Sequence, residues 1–156
     1  YSSKRQIQTG LFETDMSIKF DGLDEVLDKL DEAIDPNKLE RALGKACALV
    51  ERDAKQKAPK DTGALRRSIT SRVEKDGNEI VGVVYTPLEY APYVEYGTGL
   101  FAEGGNGRQD VPWHYQDDKG EWHSTSGQKP QPYMRPALNE NRAEILRLLK
   151  EALTND

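Results

Sequence analysis

Ile69-Thr70-Ser71-Arg72-Val73-Glu74-Lys75-Asp76-Gly77-Asn78-Glu79-Ile80-Val81-Gly82-Val83-Val84-Tyr85-Thr86-Pro87 is the stretch that decides the fold. Ile69, Ser71 and Val73 alternate with Thr70, Arg72 and Glu74, the period-two pattern of a strand with one buried face. Asp76-Gly77, extended by Asn78, is hairpin-turn chemistry. Ile80 to Tyr85 then returns as a strand apolar enough to be central. Thr86-Pro87 ends it, because proline cannot donate to the ladder. An antiparallel hairpin is the nucleus of the sheet, and the flanking segments must cover its apolar face.

On the N-terminal side, Leu39, Leu43, Ala46, Leu49/Val50 and Ala54 recur at helical spacing and predict a long helix ending near Lys57. Asp35 is a good N-cap, Pro36 suits the first helical position, and Ala58-Pro59 stops the helix. Before it, Leu23, Val26, Leu27, Leu30 and Ile34 predict a shorter helix over residues 22–34, with Asp21 as its cap. Residues 1–15 have no periodicity and precede Met16. They read as a leader or disordered arm, with Met16 as the native start and residues 16–156 as one domain.

On the C-terminal side, Asp61-Thr62-Gly63 is a turn, and Leu65 and Ile69 predict a helical turn leading into the first strand. Tyr90 to Tyr96 predicts a short helix, stopped by Gly97 and Gly99. Val111 to Tyr115 and Glu121 to Thr125 flank Gln116-Asp117-Asp118-Lys119-Gly120 as a second, more exposed hairpin. Leu138, Ile145, Leu149 and Ala152 mark the seam of a C-terminal helix from Pro136 to Leu153. The fold class is α+β: an antiparallel sheet packed against a long helix and a C-terminal helix, with an inserted aromatic β-hairpin.

Hydrophobic residues are 36% of the chain and charged ones 31%, so the core is modest. No run reaches the ~18 apolar residues of a membrane span, so no membrane partner is expected. The N-terminus also lacks the apolar run of a secretory signal. Cys47 is the single cysteine and sits on the stripe of the long helix, where it reads as a small core residue. Charge is segregated: net −5 over residues 16–35, +6 over 36–75 and −6 over 76–156. Such polarity can draw copies together through complementary faces, although each run is equally a solvated helix face.

Chemistry is mostly absent. The glycine-rich stretch from Gly97 to Gly107 lacks the Gly-Lys-Ser/Thr ending of a phosphate loop, so no nucleotide is expected, and it reads as a flexible loop or one ordered by a neighbour. His114 and His123, facing each other across the second hairpin with Asp117 and Asp118 at its tip, could ligate a metal. The blander reading, a polar hairpin face, is preferred, and no cofactor or metal is expected. Glu95 is the one acid in an apolar setting. A raised pKa would make it an acid catalyst, but a carboxylate accepting backbone N–H groups or pairing with Arg135 to hold a turn is the commoner arrangement. The basic segment 55–75 has no interleaved aromatics, which argues against sequence-specific nucleic-acid reading.

Rigid aromatic contact surface is what the chain does offer. Tyr90, Tyr93, Glu95, Tyr96, Gly97 and Gly99 form one segment, and Tyr133 and Arg135 a second, proline-stiffened one before the last helix. Gly97 and Gly99 read as sites of positive φ or close backbone approach. Trp113 and Trp122 are costly to expose on a two-stranded hairpin, which is itself marginal in water. They read as an assembly arm, ordered against an adjacent subunit or another protein. The competing reading folds both indoles back onto the sheet.

Ala58-Pro59-Lys60-Asp61-Thr62-Gly63-Ala64-Leu65-Arg66-Arg67-Ser68-Ile69, Tyr90-Ala91-Pro92-Tyr93-Val94-Glu95-Tyr96-Gly97-Thr98-Gly99 and Pro130-Gln131-Pro132-Tyr133-Met134-Arg135-Pro136-Ala137-Leu138 resemble, in this order, the three signature segments of a tailed-phage neck or tail-completion family. The hairpin carrying Trp113 and Trp122 looks like an insertion that many members carry. The resemblance spans Met16 to Leu153 and implies a non-enzymatic structural subunit without a cofactor. It implies a self-assembled ring, a hexamer by the symmetry of phage tails, at the head–tail junction of the virion. Its partners would be neighbouring connector, tail terminator or tail tube proteins, with DNA passing nearby and assembly in the host bacterial cytoplasm. Two other classes stay open: a DNA-binding accessory using residues 55–75, and a small metal-dependent hydrolase.

Overall fold

The computed structural model describes residues 16–19, 35–76 and 79–154. The expected helix over residues 22–34, the segment 1–15 and the turn residues Gly77 and Asn78 lie outside these. The elements are β1 (Met16–Lys19), α1 (Pro36–Lys57), α2 (Ala64–Ser68), β2 (Thr70–Asp76), β3 (Glu79–Thr86), α3 (Ala91–Tyr96), β4 (Trp113–Gln116), β5 (Trp122–Thr125), α4 (Met134–Glu140) and α5 (Arg142–Thr154). Two short 3₁₀ turns, Gly99–Phe101 and Glu103–Gly105, join α3 to the second hairpin.

β3 is the central strand of a three-stranded antiparallel sheet in the order β1-β3-β2. β2 pairs with it from Thr70↔Tyr85 to Asp76↔Glu79. The register places Val73 opposite Gly82, and Val83 and Val84 are fully buried. β1 pairs with the other edge of β3, from Met16↔Thr86 to Lys19↔Val83. That third strand is not foreseen above. Four residues are too short a window for period-two alternation to stand out from its surroundings.

α1 contacts both the sheet, through β2 and β3, and the C-terminal helices α4 and α5. A helix shared between two layers needs an apolar face wider than one stripe. The sequence supplies it: Leu39, Ala42, Leu43, Ala46, Cys47, Val50 and Ala54 are all buried. Full burial of side chains such as Leu43 and Val50 contributes about 1.5–3 kcal/mol each. Asp35 caps the helix, its Oδ1 accepting the Asn37 N–H at 2.9 Å. Glu51 ties α1 to β2: it accepts from Ser71 Oγ and from Lys55 Nζ, both at 2.6 Å. Desolvation around Cys47 pushes its thiol up to about 11, so the cysteine is a core residue and not a nucleophile.

The C-terminal helix is not continuous. α4 ends at Glu140, and Asn141 stands between it and α5. Asn141 Nδ2 donates to Asp53 Oδ2 on α1 at 2.6 Å and to the Ala137 carbonyl at 2.8 Å. A short polar side chain that bonds backbone within its own helix competes with regular helical geometry, which explains the break. Pro136 sits inside the first turn of α4 rather than at its start, where its missing N–H costs nothing.

Candidate functional site

α3 and the segment leading into α4 are joined through one buried carboxylate. Glu95 has no exposed surface. Its Oε2 accepts the backbone N–H groups of Tyr133 at 2.7 Å and Met134 at 2.9 Å. Its Oε1 accepts from Arg135 N at 3.0 Å and Arg135 Nε at 2.9 Å. The first N–H groups of a helix have no intrahelical partners. The residue at the N-cap position of α4 is Tyr133, whose side chain makes no capping bond. Glu95 caps α4 from 38 to 40 residues away in sequence, and its negative charge meets the positive end of the helix.

Arg135 extends the joint outward. Its Nη1 and Nη2 form a fork onto the two carboxylate oxygens of Glu103 at 2.8 and 2.9 Å. Its guanidinium carbon lies 4.6 Å from the centre of the Tyr96 ring. Glu103 and Glu95 hold the Arg135 pKa above its ordinary value, against some desolvation. The same fork holds the Glu103 carboxyl below the usual carboxylate range. Burial, then the neighbouring Glu95 charge, raises the Tyr133 phenol.

Backbone bonds close the rest of the seam. Gln131 N donates to Val94 O at 2.8 Å, Thr98 N to Gln128 O at 2.9 Å, and Leu100 N to Ser126 O at 3.0 Å. Gly97, at φ +77°, has the Gln128 and Phe101 carbonyl oxygens and Pro130 Cδ each 2.8 Å from where a Cβ would stand. At Gly99 that position is 2.3 Å from the Ser126 oxygen. The glycine-rich loop is thus built in at Gly97 and Gly99 by the chain's own segment 126–130, and the expectation of a flexible loop is corrected there.

The residues singled out in the sequence separate into two sets. Glu95, Gly97, Gly99 and Tyr133 are buried, Tyr96 is half-buried, and Arg135 is partly exposed above them. Tyr90 and Tyr93 point outward, with 43% and 59% of their surfaces exposed, and Trp122 is 71% exposed. Trp113 is half-buried beside Arg108, whose guanidinium carbon is 5.2 Å from its ring centre. Neither tryptophan belongs to the hydrophobic core. Leu100 and Phe101, expected as loop, are both exposed on the 3₁₀ turn that follows α3. Two bulky apolar residues beside a glycine, with no periodicity to bury them, were the signal. Glu103 was also missed, since nothing local marks it as the second acid on Arg135.

The second hairpin corrects the metal reading. Its register pairs His114 with Ser124 and Tyr115 with His123. The two histidines are one step out of register, so they project to opposite faces and cannot share an ion. Asp117, Glu121 and His123 do bring ligand atoms within 4.8 Å of one another. Asp117 already has other work: Oδ2 is 2.8 Å from His123 Nε2, and Oδ1 accepts from Lys119 N and Glu121 N at 2.9 Å each. The trio closes a turn.

In the basic segment, Lys55 pairs with Glu51, Lys57 with Glu140, Arg72 with Glu74 and Lys75 with Glu40. Arg66 donates to the Ala58 and Gln56 carbonyls at 3.0 and 2.8 Å. No helix among the described residues is long and apolar enough to cross a membrane.

Residues 21–97, just under half of the chain, match the family model described as "Bacteriophage HK97-gp10, putative tail-component". The resemblance read from the motifs is borne out over that segment. Neither the curated proteins nor the solved structures give a match.

Proposed function

We propose, from the match of residues 21–97 to the phage tail-component family model, that this chain is a structural subunit of the head–tail connector. It acts in the neck or in tail completion, as one domain over residues 16–156. Copies close into a ring, a hexamer by the symmetry of phage tails, that helps join the DNA-filled capsid to the tail. The ring contacts the neighbouring connector, terminator or tube proteins and has no catalytic role. It is built in the host cytoplasm and resides at the head–tail junction.

One observation carries this reading. Tyr90, Tyr93, Leu100 and Phe101 are exposed on a unit that the buried Glu95 cap and the Arg135 fork hold rigid. Large exposed aromatics on a preorganised support are the makings of an interface, because little side-chain order is lost on binding. The buried residues of the seam hold this surface in place. A DNA-binding accessory is the weaker alternative, because most of the cations in segment 55–75 already have partners within the chain.

Light-scattering mass measurement tests the proposal, on the purified chain alone and mixed with tail proteins of the same phage. Rings of about six copies are the expected product. A chain that stays monomeric in every mixture would remove the reading.

A further inference from the structure

The chain carries both halves of a second complementary contact, on elements far apart in sequence. One half is an open groove of about 450 Å³ between α1 and α5. Ala42, Leu148 and Ala152 give it an apolar floor. Lys38, Arg41 and Lys45, one or two turns apart on α1, line its rim. Glu151 on the opposite rim is engaged by Arg147, which offsets its charge.

The other half is the β4–β5 hairpin, a two-stranded sheet of its own. Its tip carries Asp117, Asp118 and Glu121 against a single Lys119. Trp122 stands next to Glu121 and is the most exposed of the large hydrophobic side chains among the described residues. An indole beside an acidic hairpin tip is ill suited to a DNA surface. It matches an apolar floor with a cationic rim.

We propose that the β4–β5 hairpin of one copy docks on the α1–α5 groove of the next, with Trp122 on the Ala42, Leu148 and Ala152 floor and Asp118 at the hairpin tip toward Lys38, Arg41 and Lys45. This rests on the ring reading above. A second copy is the favoured occupant because a closed ring needs two different patches on one chain, and these two are complementary in charge and polarity. Strands of four residues cover only part of the ~800 Å² per partner of a stable interface. The hairpin is therefore one contact of the ring, alongside the α3 aromatic surface.

Cysteine pairing tests it on the full chain. Asp118 and Lys45 are both exposed, and native Cys47 is buried and silent. Mixing Asp118→Cys copies with Lys45→Cys copies under assembly conditions and mild oxidation is expected to give a disulfide-linked dimer that neither variant gives alone. Trp122→Ala should weaken self-association roughly thirtyfold, the ~2 kcal/mol of an interface hot spot at tenfold per 1.4 kcal/mol. Lys45→Glu should weaken it too, and adding Asp118→Lys should restore part of the loss. Assemblies that form without the 45–118 bond overturn this interface and leave the ring intact. A double variant that closes the bond within one chain overturns it as well. A wild-type chain that never self-associates removes ring and interface together.

Discussion

Glu95 stands in for the capping side chain that Tyr133 does not provide. A buried carboxylate is tolerated only when its charge is matched and its lone pairs are filled, and here three backbone donors and one guanidinium N–H do both. Glu95→Ala leaves those donors without an acceptor and should cost about 3–5 kcal/mol. Glu95→Gln keeps one acceptor oxygen but turns an NH₂ toward N–H groups, and should cost about 1–3 kcal/mol. Arg135→Ala should cost less than Glu95→Ala, since the backbone donors keep their acceptor. Urea unfolding of the two single variants and the double variant is expected to give a coupling of about 0.5–3 kcal/mol. Zero coupling would mean that the pair seen in the structure contributes nothing to stability. The Glu95–Arg135 partnership was legible because both residues sit in the segments that carry the family resemblance. That the partnership is also a helix cap was not legible, because a cap supplied from 38 residues away leaves no local capping-box spacing.

At the scale of elements, Gly97 is where two segments meet most tightly. Its φ of +77° disfavours any side chain, and a Cβ would press on two carbonyl oxygens and a proline ring at 2.8 Å. Gly97→Val should lower stability by about 1–3 kcal/mol from backbone strain alone, and thermal melting reads the loss. A variant that melts with wild type would mean the seam relaxes freely. The break between α4 and α5 gives a pH-dependent prediction. The Asn141 hydrogen bond chiefly holds Asp53 below its ordinary pKa of 3.8, against mild desolvation and with help from Arg52 and Lys57. A depressed folded-state pKa contributes stability above the unfolded value, lost as pH falls through the folded one. Asn141→Ala should therefore cost about 1 kcal/mol near neutral pH, with the difference from wild type shrinking as pH drops below 3.8. A difference that stays constant into acid would assign the loss to helix geometry instead. α1, β2, β3 and α3 were legible because period and punctuation agree in each: Asp35-Pro36 opens α1, Ala58-Pro59 closes it, and Thr86-Pro87 ends β3. Asn141 was passed over because its partner lies on α1, 88 residues away. The histidine alignment failed because a period-two pattern marks strands without fixing which residue faces which.

Across the whole molecule, scaffold and contact surface use different residues, so the two can be separated by substitution. Tyr93 and Phe101 are exposed, at 59% and 41%, and nothing in the core depends on them. Glu95, two residues from Tyr93, is fully buried. Replacing exposed side chains away from special features usually shifts stability by no more than about 0.5 kcal/mol, whereas removing aromatic anchors from an interface costs far more than that. The double variant Tyr93→Ser, Phe101→Ser should unfold with wild type in urea and yet need at least about tenfold higher concentration to assemble, the ~1.4 kcal/mol floor of two lost anchors. Glu95→Ala should fail in both measurements, because it removes the support and the surface together. Sedimentation over a concentration series distinguishes the cases. If the Tyr93→Ser, Phe101→Ser protein assembles at the wild-type concentration, the α3 surface is not a contact, and assembly falls to the hairpin and its groove.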